Sequence, residues 1–285
     1  MRTITDIEKL NTIYIISKGR PQCHTARTLT EMNYPGPWFI VCGNNDETLE
    51  EYKAKWGADR ILVFDWYEQI KHTDVLDNFG FTKHASGAVP VRNAVFELSR
   101  QRGERRHWQL DDDYTGFWLT NTELNHNDKM TGEQLYWWCG RIAKFGDDTK
   151  MANVGFMLSS SQFPASAKGF NSRVFNAHNM SNEPGVTPEW RGRLNDDVIH
   201  AVSVHRLGQM REMQFRFIGI TMTLTQKEAG GLTEMYQALG TVRKTAYLML
   251  VAPNASKLTI RFRRFHHEVK WQKLMAKLIS EKWKK

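Results

Sequence analysis

Three consecutive carboxylates, Asp111-Asp112-Asp113, close the apolar segment 105–110 (RRHWQL) and open into an aromatic turn, Tyr114-Thr115-Gly116-Phe117. A buried strand that ends in acids holds hard oxygen ligands still at a sheet edge, where Mn2+ or Mg2+ can sit between the protein and a bound diphosphate. A solvated loop or a helix-capping run would also accommodate the triplet. Two other groups join it in a coherent nucleotide-sugar pocket: Ser17-Lys18-Gly19-Arg20-Pro21 and Arg92-Asn93. Ser17, Lys18 and the backbone around Gly19 suit a base or phosphate. Arg20 and Arg92, with Asn93 beside them, suit diphosphate oxygens, and Asp111, Asp112 and Asp113 suit the metal and the donor. The cation and the arginines would neutralise charge building on the leaving nucleotide. The plain alternative for residues 17–21 is an exposed basic turn.

These groups need elements to place them. The runs TIYIIS (12–17), WFIVCG (38–43) and RILVFD (60–65) are short, β-branched or aromatic, and ended by polar residues or glycine, the pattern of buried parallel strands. Between the last two, residues 44–58 carry Leu49, Tyr52 and Trp56 at helical spacing, with Asn45 or Asp46 as cap. In residues 88–103, Val91, Ala94, Val95 and Leu98 fall on one helical face between Pro90 and Gly103. Alternating β and α over the first 117 residues puts the triplet at the carboxyl end of a strand, where open α/β sheets bind ligands. Residues 151–161, 173–180, 214–225 and 257–265 read as strands of an antiparallel or mixed region, and 194–209 as a helix.

With 285 residues, 41% hydrophobic and 25% charged, the chain is long enough for one substantial core. A net charge of +8 favours polyanionic partners. Cys23, Cys42 and Cys139 are odd in number and widely spaced, which argues against a disulfide framework or a structural zinc site and for a reducing, cytoplasmic setting. No stretch reaches the roughly 18 apolar residues of a membrane span, and the N-terminus lacks a signal-peptide core. Residues 261–285 are strongly basic, with Trp271, Leu274, Met275, Leu278 and Ile279 at helical spacing. We therefore expect a domain over 1–265 and a basic amphipathic helix over 266–285 that docks on the domain or on a phosphate backbone. A mobile Gly-rich loop is expected at 227–231. Trp137-Trp138 and Trp190 are candidates either for core packing or for stacking on a displaced base.

The blocks Ile13–Pro21, Val91-Arg92-Asn93, Leu110–Asp113 and Asn195-Asp196-Asp197 resemble glycosyltransferases of the GT-A fold, whose DxD motif is matched by the triplet. More narrowly they resemble the TET-associated glycosyltransferase group of phage and related proteins. That resemblance implies a GT-A-like α/β sheet with flanking helices and a smaller mixed C-terminal part. It also implies transfer of a sugar from a nucleotide diphosphate donor, UDP-glucose or a UDP-pentose, to the hydroxyl of 5-hydroxymethylcytosine in double-stranded DNA, in the host cytoplasm if the chain is phage-encoded. By the same resemblance Asp196 or Asp197 would face the acceptor as catalytic carboxylate, with a helix N-terminus as the other reading of that pair, and His266 would complete the metal shell of Asp111 and Asp113. Two rival classes remain at this point. One is a transferase with a glycan, protein or small-molecule acceptor, and the other a nucleic-acid-binding module in which the triplet is a capped loop.

Overall fold

All four side chains of the first strand, β1 (Ile13–Ile16), are buried. Ile13 and Ile15 enter one apolar cluster, Tyr14 and Ile16 another, so β1 lies between two packed layers, as its unbroken apolar run requires. A computed structural model describes residues 9–77, 87–121, 126–158, 173–207, 211–223, 233–261 and 263–274. In it, β1 pairs in parallel with β2 (Trp38–Gly43) on one side and β4 (Arg106–Asp111) on the other, and β3 (Ile61–Phe64) extends the sheet beyond β2. The expected strands are therefore present and parallel.

The other half is mixed. β8 (Asn176–Ser181) runs antiparallel to β4 and to β7 (Asn153–Leu158), and β9 (Glu212–Met222) runs parallel to β7. β5 (Tyr114–Asn121) and β6 (His126–Lys129) close the sheet, giving nine strands among the described residues in the order β3-β2-β1-β4-β8-β7-β9-β5-β6. Helices α1 (His24–Glu31) and α5 (Gly132–Asp148) cover the face of Ile13 and Ile15 with Ala26, Leu29, Leu135, Cys139 and Ile142. Tyr52 from α2 (Leu49–Trp56) joins that layer. Trp66, opening the short α3 (Trp66–Gln69), and α4 (Val89–Gln101) with Ala94 and Val95 cover the opposite face. The α/β architecture is GT-A-like.

Helix α4 starts with Pro90 in its first turn and ends before Gly103 at φ 71°, as its sequence predicts. It is buried on a second side as well, where Arg92, Phe96 and Ser99 face inward, and this side brings it against the back half. There α6 (Asp196–His205) packs on α7 (Thr233–Val251) through Val198, Ile199, Val202, Tyr247, Leu248 and Val251. No helix among the described residues is long and apolar enough to cross a membrane, and all three cysteines are free and buried.

The expectation of one strand over 257–265 and a helix from 266 needs correction. Residues 256–269 form an antiparallel hairpin, β10 (Ser256–Arg261) and β11 (Arg264–Val269), followed by a 3-10 turn at Trp271–Lys273. Lys257, Leu258, Thr259, Ile260 and Arg261 alternate with period two and find partners in the next six residues, so strand pairing prevails over the helical spacing that begins at Trp271. Residues 275–285, which carry most of that spacing, lie outside the described residues, as does the 227–231 loop.

Candidate active site

The chain leaves β1 toward β2 on one side and reaches β4 on the other, so the carboxyl ends of β1 and β4 flank a crevice at the switch in strand order. Ser17 and the acidic triplet meet there. Ser17 Oγ donates to Asp112 Oδ2 at 2.6 Å and lies 2.6 Å from the Tyr52 hydroxyl, which accepts from Arg20 N at 2.9 Å. Since Ser17 has a single proton, Tyr52 must donate to Ser17 Oγ, and a directed chain runs from Arg20 N–H through Tyr52 and Ser17 to Asp112. Arg20 Nη1 completes the loop on Asp112 Oδ1 at 3.2 Å. Burial raises the Asp112 pKa, against the pull of Arg20 and Ser17. Asp46 pins the same turn, accepting from Gly19 N at 3.0 Å and from Thr48 N at 2.9 Å. Gly19 sits at φ 68°, a conformation costly for other residues. Lys18 lies over the Trp66 ring at 5.6 Å. Residues 17–20 are thus a fastened turn, with Asp112 as its anchor.

Asp111 and Asp113 have different surroundings. Thr25 holds the backbone of the triplet, its Oγ1 donating to Asp111 O at 2.5 Å and its N to Asp112 O at 3.2 Å, while Thr223 N donates to Asp113 O at 2.9 Å. Tyr114 O–H accepts from Ala177 N at 3.2 Å and lies 3.5 Å from Asp111 Oδ2. Burial pushes the Tyr114 pKa well up, and the charges of Asp111 and Asp113 push it further. The Asp111 side chain is 30% exposed.

Arg92 connects this side of the crevice to the later acids. Its Nε donates to Asp196 Oδ2 and its Nη2 to Asp111 Oδ1, both at 2.9 Å, and its guanidinium packs on the Trp190 ring at 4.6 Å. Burial alone would lower its pKa, but Asp111 and Asp196 more than reverse that. Nη1 is buried without a hydrogen-bond partner. In this structure both expected phosphate partners, Arg20 and Arg92, hold carboxylates. Asn93 is tied as well. Its carboxamide donates to Trp190 O at 3.0 Å and accepts from Trp190 N at 2.9 Å, making it the clip that keeps Trp190 under Arg92. Asn93→Ala leaves both backbone groups without partners and should cost about 2 kcal/mol in urea unfolding. Asn93→Asp, which can accept from Trp190 N but cannot donate to Trp190 O, should recover only part of that.

Around Asn195 the chain turns sharply. Asn195 is at φ 60°, and its Nδ2 donates to Lys244 O at 2.8 Å and toward His267 Nδ1 at 3.3 Å. Burial, with His266, Lys244 and Arg261, lowers the His267 pKa to about 4, so the ring is a neutral acceptor. His266 instead places its Nδ1 2.9 Å from the His267 carbonyl. Neighbouring residues on a strand face opposite ways, and the one that reaches Asn195 is His267. No group of three His, Cys, Asp or Glu able to hold a metal occurs among the described residues, so His266 is not brought to Asp111 and Asp113. The chemistry of the two carboxylates still suits a hard cation, whose other ligands a diphosphate and water would supply.

Asp196 faces Arg92, whereas Asp197, about 100° around the helix, sits by Lys244 and accepts from Val198 N at 2.8 Å. Burial and the neighbouring Asp196 push the Asp197 pKa up to about 6 from an ordinary 3.8. A carboxyl raised by folding contributes stability below about pH 3.8 that is lost as pH rises through 6. Asp197→Asn should therefore be more stable than the parent at pH 7, with the difference vanishing near pH 4, as read from thermal unfolding across that range.

Tyr52, Asp46, Tyr114 and Thr25 carry this geometry, and the motif reading gave none of them a place in the site. Tyr52 fell at helical spacing and counted only as core, a role its ring does fill. Trp190 is fully buried, with His200 stacked on it at 4.2 Å and Arg92 at 4.6 Å, which leaves no face for a base. Trp138 packs on Phe217 at 4.7 Å and Trp137 is exposed on α5; neither touches the crevice.

Comparison with curated proteins returned no match. A family model described as TET-Associated Glycosyltransferase matches residues 11–231, a span containing Ser17–Arg20, Arg92-Asn93, the triplet and Asn195–Asp197. The crevice is lined by these blocks, and the chain belongs to the TET-associated glycosyltransferases, enzymes that transfer sugars.

Proposed function

We propose that the enzyme moves a sugar from a nucleotide diphosphate sugar, UDP-glucose or a UDP-pentose, to the hydroxyl of 5-hydroxymethylcytosine in double-stranded DNA. The observation that carries this reading is the Arg92 bridge, which fixes Asp111 and Asp196 on one buried guanidinium with 2.9 Å contacts to each. Donor and acceptor chemistry would then meet at a single cation. Asp111 and Asp113 would hold Mn2+ or Mg2+, which when bound supplies positive charge against the departing diphosphate. The Ser17–Arg20 turn, stiffened by Tyr52, Asp46 and Asp112, offers backbone and hydroxyl groups to the nucleotide. Arg92 Nη1 keeps its donors for a ligand oxygen. Asp196, oriented through Oδ2 by Arg92, presents Oδ1 to the acceptor hydroxyl and takes its proton as the glycosidic bond forms. Asp197 is the less favoured of the pair because its carboxylate turns to Val198 N and Lys244. A hydroxymethyl group inside a duplex cannot reach such a crevice, so the base leaves the stack first.

The test is to incubate the protein with Mn2+ or Mg2+, a panel of nucleotide sugars, and DNA carrying cytosine, 5-methylcytosine or 5-hydroxymethylcytosine, and to weigh the nucleosides by mass spectrometry. Mass gain on the third DNA alone is the expected result. Sugar appearing only on glycan, protein or small-molecule acceptors overturns the acceptor while leaving the family unchanged.

A further inference from the structure

The β10–β11 hairpin lies beyond the family-matched residues. Its register pairs Ser256 with Val269, Leu258 with His267, Ile260 with Phe265 and Arg261 with Arg264. Cross-strand partners share a face, so Val269, His267, Leu258, Ile260 and Phe265 form one row. At the base this row is covered: Val269 packs against the α6–α7 cluster and His267 reaches Asn195, the residue before Asp196. Toward the turn the covering stops. Ile260 is 70% exposed, Phe265 44% and Leu258 43%. The apolar row thus runs off the body from the acceptor-side acids, with Phe265 about 7 Å beyond His267 along the strand.

The charge around this uncovered row is mostly positive. Residues 257–270 hold five basic side chains, Lys257, Arg261, Arg263, Arg264 and Lys270, against the single carboxylate of Glu268. Glu268 sits on the other face between Lys257 at 3.3 Å and Arg261 at 3.7 Å. Arg263 is exposed in the turn, at φ 60°. Exposed apolar side chains at the end of a cationic two-stranded ribbon match the chemistry of a duplex whose stack has been opened, with phosphates outside and an apolar gap inside.

We propose that the hairpin is a wedge for acceptor DNA: Ile260 and Phe265 enter the stack where the target base has left, and Arg263 with its basic neighbours takes the flanking phosphates. This rests on the reading that the acceptor is a base in DNA. It names the surface that opens the duplex, which the donor crevice does not provide.

The test uses the full chain and a duplex with 2-aminopurine beside one 5-hydroxymethylcytosine, followed by fluorescence, anisotropy and sugar transfer. The parent protein raises 2-aminopurine fluorescence several-fold as stacking is lost. The double variant Ile260→Ser, Phe265→Ser loses that rise and binds about tenfold more weakly. Arg263→Gln keeps the rise at saturation, but its log–log salt slope is smaller by about one unit. Unaltered thermal unfolding of both variants shows that these exposed positions leave the fold intact. If the parent binds and modifies the DNA while both variants behave identically to it, the wedge is wrong and the acceptor reading survives. If the parent transfers sugar only to other acceptors, the acceptor reading fails and the wedge with it. Tighter association with phosphatidylserine vesicles than with the duplex, lost in the double variant, would assign the hairpin to a membrane surface and overturn the proposal.

Discussion

Arg92→Lys should cut sugar transfer by about 10^3-fold and lower the urea unfolding free energy by about 3 kcal/mol. Lysine keeps the charge, but it offers one nitrogen where Arg92 uses Nε for Asp196 and Nη2 for Asp111. It also lacks the planar group that lies on Trp190. One of the two carboxylates then loses its partner, and an unpaired buried charge is the costly outcome. The side chains of Asp196 and Asp111 are 10% and 30% exposed, so water repays part of the loss at Asp111, which puts the estimate at the lower end. The companion variant Asp196→Asn should show less than additive effects when combined with Arg92→Lys, because both act on one network. Transfer by Arg92→Lys within a few-fold of the parent would remove the arginine bridge from the mechanism.

Asp111→Asn should abolish Mn2+-supported binding of a nucleoside diphosphate, followed by titration calorimetry, and lower transfer by about 10^3-fold or more. Its fold should survive, since the side chain is partly exposed and Arg92 retains Asp196. The adjacent Asp112→Asn should behave in the opposite sense. Asp112 is buried and receives Ser17 and Arg20, so its change should lower stability by about 2 kcal/mol and weaken donor binding through the loosened turn. Equal loss of metal-supported binding in the two variants would show that the triplet acts as one electrostatic patch.

The front of the fold was legible because its strands are buried on both faces. An apolar run such as Ile13–Ile16 has few other ways to exist in a folded protein, and the triplet that ends the fourth strand then falls at the crevice. α5 carried a readable start that was passed over: Thr131 and Gln134 form a reciprocal capping box with bonds of 2.9 and 3.2 Å. α1 carried none, since its N-cap is Cys23 at φ 34° with no side-chain bond. Residue roles were harder to read than elements. Arg92 is readable as a basic group near the acids, but its partner Asp196 arrives from 104 positions away, and no local pattern announces that pairing. The choice between His266 and His267 depends on β11 register, and one step along a strand reverses the face.

The long-range ties between the front and back of the fold have one more implication, for how the polypeptide reaches its native state. Arg92 finds Asp196 across 104 residues, Asn93 finds Trp190 across 97, and Arg193 chelates Asp77 with two 3.0 Å bonds across 116, joined by the Tyr247 hydroxyl. A ribosome that has released only the parallel strands has made the crevice's walls but left the Arg92 guanidinium with Asp111 and without Asp196. Contacts this distant form late and slowly, so catalytic competence should emerge in the last cooperative step of folding, and sugar chemistry becomes a reporter of whole-chain completion.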